Sequence, residues 1–121
     1  NLQLYALVKA IENFPGFKVV DTVNGDPNRL LPPSLTFSVH GDHNDLLERF
    51  LTSLNLVNKK TSSYWTLEVV LQHRLGYRLK PFFPKPQDAL NADEVRAAIR
   101  DLSALAEAFE RDVRLYFCTR V

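Results

Sequence analysis

Residues 14–34, FPGFKVVDTVNGDPNRLLPPS, hold two of the four glycines and four of the seven prolines in a chain of 121 residues. Before this stretch, apolar residues recur at helical spacing. After it, they alternate. Leu4, Leu7, Val8 and Ile11 predict a helix over 2–13. Pro15-Gly16 stops it, because proline cannot continue the hydrogen-bond ladder. Residues 17–22 are rich in β-branched side chains and predict a strand. Asn24-Gly25 then signals a turn, since both residues tolerate positive φ, within a loop over 23–33 that is too long for a tight hairpin.

Outward from this stretch, residues 34–40 alternate. Leu35, Phe37 and Val39 face one way; Thr36, Ser38 and His40 face the other. Asp42 is placed to cap a helix running to about Leu54, with Leu46, Leu47, Phe50, Leu51 and Leu54 on its inner stripe. Residues 64–72 alternate again, with Trp65, Leu67, Val69 and Leu71 on one face. Residues 73–76 predict a turn and 77–81 a short fourth strand. Pro81, Pro84 and Pro86 then oppose regular structure up to Asp88. Asn91 and Glu94 have the spacing of a capping box, and the apolar stripe beyond them predicts a helix from 92 to about 117.

The expected architecture is one α+β domain over 1–121, of order α-β-β-α-β-β-α, with a mainly antiparallel sheet and a long C-terminal helix. Moving the fourth strand to the front gives β-α-β-β-α-β, a permuted ferredoxin-like order. The first two helices are expected on one sheet face, with the last helix covering the other or packing alongside. Val20, Tyr64 and Val70 fall on the face away from the main core. They predict a cover there, from the last helix or from a second subunit in a homodimer.

Composition excludes several chemistries. The net charge of +1 gives no global pull toward nucleic acid or anionic membrane. One cysteine, Cys118, rules out an internal disulfide and a cysteine-based metal site within one chain. This fits a reducing, cytoplasmic setting. No apolar run nears the roughly 20 residues of a membrane helix, and Asn1 opens directly on a periodic pattern without a basic-apolar leader.

The densest cluster of small polar groups is Asp21–Arg29. A glycine turn after a strand aims backbone N–H groups at an anion, and Arg29 adds a fork of donors. Asp21, Thr22, Asn24 and Asn28 suit a sugar or amide. The same residues also read as plain turn chemistry. The stretch lacks the Gly-Lys-Ser/Thr end of a phosphate loop and the repeated glycines of a dinucleotide fingerprint. His40 and His43 flank Gly41-Asp42. With Asp42 or Asp45 they form a conceivable metal cluster, but HGDH matches no diagnostic ligand spacing, and no metal is expected. His73-Arg74 reads as a solvated turn. The basic and aromatic mixture of residues 77–85 suits single-strand nucleic acid. It equally suits a strand edge whose Phe82 and Phe83 seal the core.

The helix ending at Asn13 and Pro15-Gly16, the strand after it, the turn Thr22-Val23-Asn24-Gly25 and the aromatic strand beyond resemble the wybutosine-synthesis tRNA methyltransferase family and its small relatives. The resemblance is one of arrangement over most of the chain. Val23 stands where that family has cysteine, and Asp26 where it has arginine. The resemblance implies a fold of that type, S-adenosylmethionine as cofactor, and RNA as partner.

Two functions are therefore expected. One is a non-enzymatic ligand-binding or regulatory module without cofactor, taking a small anionic ligand through Asp21, Thr22, Asn24, Gly25, Asn28, Arg29 and His40. The alternative is an S-adenosylmethionine-dependent, tRNA-modifying methyltransferase-like protein.

Overall fold

The computed structural model describes residues 2–41, 44–71 and 74–119, with all their side chains but those of Asn44, Gln87, Cys118 and Thr119. The expected helix cap Asp42, the histidine His43 beside it and the expected turn residue His73 lie outside the described residues. The element order is α1 (Leu2–Glu12), β1 (Phe17–Val23), β2 (Ser34–Val39), α2 (Asn44–Val57), β3 (Tyr64–Leu71), β4 (Leu75–Phe82) and α3 (Ala92–Thr119). Two short 3₁₀ turns, Pro27–Arg29 and Gln87–Ala89, sit in the loops before β2 and α3.

The α+β order is as the sequence predicts. The four strands form one antiparallel sheet in the order β1-β2-β4-β3. Two parallel relationships follow. β2 and β3 flank β4 and are joined through α2. β1 and β4 flank β2, and α1 leads into β1. This is the strand order of a split β-α-β sheet whose first strand has been moved to the end, where it is β4.

Two boundaries differ from expectation. β4 begins at Leu75, so Leu75 and Gly76 belong to the strand and not to the turn before it; they pair with Leu71 and Val70. The proline-rich segment after β4 closes into a 3₁₀ turn at Gln87–Ala89, because Pro86 accepts a backbone bond from Ala89 N at 3.0 Å.

All three helices share one core. α3 packs alongside α1 and α2, and among the described residues no helix covers the other sheet face. Its inward stripe includes Val95, Ala98, Leu102, Leu105 and Phe109, at the 3–4 residue spacing of one helical face. A chain of rings runs through this core: Phe17 stacks on Phe37 at 5.3 Å, Phe37 meets Phe50 at 5.1 Å, and Phe50 stacks on Phe109 at 4.3 Å. Asn91 and Glu94 do form the capping box. Glu94 N donates to Asn91 Oδ1 at 2.9 Å, and Asn91 N to Glu94 Oε1 at 3.1 Å.

Candidate functional site: a groove on the uncovered sheet face

The uncovered face is built from the outward positions of every strand. β2 contributes Thr36 and Ser38, with His40 just beyond its end; β3 contributes Tyr64, Thr66, Glu68 and Val70. β4 contributes Gly76, Arg78, Lys80 and Phe82. On β1, Lys18 pairs with Ser38, and a bulge between Val19 and Asp21 shifts the register so that Asp21 lies opposite Thr36. A bulge inserts one unpaired residue and resets the alternation beyond it. Strict alternation from Phe17 would have turned Asp21 toward the core.

A groove of ≈ 310 Å³ crosses this face, lined by Lys18 and Val20, by Thr36, Ser38 and His40, and by Val70, Arg74, Leu75 and Gly76. Gly76 is its floor. A Cβ there would sit 3.5 Å from Thr36 Cγ2 and 3.4 Å from the Phe37 carbonyl, so the missing side chain keeps the middle of the groove low. Ser38 Oγ lies 3.2 Å from His40 Nε2. This hydrogen bond has the reach of a nucleophile and its base. Among the described residues no third group bonds the other ring nitrogen, so the pair lacks the partner that fixes such a base.

The electrostatics of the groove are one-signed. Lys18 and Arg74 form no ion pair among the described residues, and no carboxylate is among the described lining residues. Further along the face the charges are partly matched. Glu68 accepts from Arg78 Nη1 at 3.1 Å and from Lys80 Nζ at 3.0 Å, while Arg78 Nε also donates to Thr36 Oγ1 at 3.4 Å. The Lys80 hydrogen bond, with further help from Arg78, holds the Glu68 carboxyl below its usual range despite an opposing effect of burial.

The residues expected from the sequence fall in two places. Asn24, Gly25, Asn28 and Arg29 belong to the loop between β1 and β2, with Asp21 and Thr22 at the end of β1 beside it. There Asp26 caps the 3₁₀ turn by accepting from Asn28 N at 3.0 Å, and it faces Arg29 Nε at 3.8 Å. Asp26 N also donates to the Leu31 carbonyl at 2.7 Å. The loop thus satisfies much of its own polarity as an Asx turn. Gly25 has φ +84°, and a Cβ on it would press within 3.0 Å of Pro33 N. His40 lies at the other end of β2, six residues beyond Ser34, which at about 3.3 Å per residue is roughly 20 Å away. The structure does not bring it together with the loop. It lines the groove instead.

Sequence reading left Lys18, Ser38, Arg74 and Gly76 out of the site. The alternation of Thr36, Ser38 and His40 was a usable signal, since three polar residues on one strand face mark an uncovered surface.

Of Phe82 and Phe83, the two rings expected to seal the core if this segment is a strand edge, only one does so. Phe83 is half-buried and packs against the core, while Phe82 is exposed and lies across from Tyr64. The described residues hold no group of three or more metal-binding side chains, and no described helix is long and apolar enough to cross a membrane. No family model, curated protein or solved structure matches this chain.

Proposed function

We propose that the protein is a ligand-binding module without chemistry of its own, and that its ligand is a small anion held in the groove over Gly76. One observation carries this reading. Among the described residues, the groove offers two cations without ion-pair partners, Lys18 and Arg74, and two polar groups, Ser38 and His40, with no carboxylate in its lining. An anion entering it gains charge-assisted hydrogen bonds without competing with a resident acid. Its apolar walls, Val20, Val70 and Leu75, suit the carbon framework of such a ligand.

Calorimetric titration tests this with inorganic pyrophosphate, a nucleoside triphosphate and S-adenosylmethionine, the last being the cofactor implied by the methyltransferase resemblance. Binding by any of them that weakens in Lys18→Ala and Arg74→Ala supports the groove. Binding that weakens only in Arg29→Ala moves the site to the Asp21–Arg29 loop. If the unaltered protein binds none, the anion-site reading fails.

A further inference from the structure

The groove is one end of a longer surface. Tyr64 on β3 and Phe82 on β4 are direct cross-strand partners on the same uncovered face, and they are 58% and 52% exposed. Between this ring pair and the groove lie the cross-strand pairs Thr66–Lys80 and Glu68–Arg78. We propose that the face binds single-stranded nucleic acid, with backbone phosphate in the groove and bases stacked on Tyr64 and Phe82. This deepens the anion-site reading and rests on it.

Charge selects the occupant. Among the described residues of the face, Lys18, Arg74, Arg78 and Lys80 stand against two carboxylates, Asp21 and Glu68. A second copy seated face to face would set this positive surplus against itself, which an isologous interface does not relieve. A polyanion neutralises it. The two rings supply what a phosphate chain alone does not use, namely flat apolar faces for bases. Their placement on an open sheet suits unpaired bases, because a duplex keeps its bases stacked within itself.

The experiment is fluorescence anisotropy with labelled single-stranded RNA and DNA of about 12 nucleotides, run beside pyrophosphate titration. Either nucleic acid binding supports the proposal if Tyr64→Ala and Phe82→Ala each weaken it about tenfold, the scale of one lost stacking contact. Both variants should leave pyrophosphate affinity and the melting temperature unchanged, since both rings are exposed. Lys18→Ala and Arg74→Ala should weaken both ligands. Oligonucleotide binding indifferent to both rings overturns the proposal. So does pyrophosphate binding without oligonucleotide binding, a result that leaves the anion site standing. Failure of both ligands removes both readings. Sedimentation showing a dimer that Tyr64→Ala dissociates would assign the face to a second copy and overturn the proposal.

Discussion

Trp65 Nε1 donates to Asp101 Oδ2 at 3.1 Å, tying β3 to the middle of α3 through a carboxylate that is 5% exposed. The same carboxylate accepts from Ser62 N and Ser63 N, each at 2.8 Å. One acid therefore satisfies three donors, two in the segment that leads into β3 and one in β3 itself. A buried carboxylate is tolerated when donors surround it in this way. Asp101→Ala leaves those donors without a partner, at about 1–3 kcal/mol for a single unsatisfied group. Urea unfolding should show a loss of about 3–5 kcal/mol for this variant, since more than one donor is stranded. A loss under about 1 kcal/mol would mean that water replaces the carboxylate and that the contact does not hold α3 to the sheet.

The β1–β2 loop separates backbone from charge. Gly25→Ala combines positive φ with a close approach to Pro33, and it should cost about 1–3 kcal/mol. Arg29→Ala should change stability by less than about 0.5 kcal/mol, because its side chain is 83% exposed and its contact with Asp26 is long. Thermal melts of the two variants check this, and equal losses would contradict it.

Glu68 gives a pH dependence of known sign. Its carboxyl is held below the ordinary value of 4.5, first by the Lys80 hydrogen bond. A group whose folded pKa is depressed contributes stability above its unfolded pKa. That contribution is lost as pH falls through the lower folded pKa. The side chain is 39% exposed, so solvent screening limits its contribution to roughly 0.5 kcal/mol. Glu68→Gln should therefore be less stable than the unaltered protein by about that amount near pH 7, and the gap should close as the pH falls below the ordinary 4.5 and through the lower folded pKa. Urea midpoints at both ends of this range measure it. A gap that widens in acid would reverse the sign and disprove the assignment.

What could be read from the sequence was local. The capping box at Asn91 and Glu94 depends only on residues three apart, and alternation in 34–40 needs no partner strand. The bulge between Val19 and Asp21 depends on pairing with β2, so nothing in residues 17–23 alone announces it. The extent of β4 was hidden for a similar reason. Gly76 resembles turn punctuation until Val70 and the β2 backbone are placed beside it. The groove draws on all four strands and the segment between β3 and β4, so its residues are scattered from 18 to 76. Only His40 among them stood out, and it was grouped with a loop at the far end of its strand. The placement of α3 was a tertiary choice between two sheet faces, decided where its apolar stripe met α1, α2 and Trp65.

Gly76 allows the groove to be closed without disturbing the fold. Its backbone is not in the left-handed region, and an added Cβ would meet only ordinary contacts, 3.4 Å from the Phe37 carbonyl and 3.5 Å from Thr36 Cγ2. Where the backbone is compatible, Gly→Ala stabilises by about 0.4–1 kcal/mol by restricting the unfolded chain. Gly76→Ala should therefore melt at or slightly above the temperature of the unaltered protein. Its methyl group would stand on the groove floor between the Lys18 and Val70 walls. Pyrophosphate affinity should fall by about tenfold, equivalent to ~1.4 kcal/mol. Gly25→Ala is the matched control: the same added methyl lies outside the groove lining, so it should cost stability and leave affinity intact. Calorimetric titration beside thermal melts separates the two. Undiminished pyrophosphate binding by a well-folded Gly76→Ala protein would show that the ligand does not sit over this glycine.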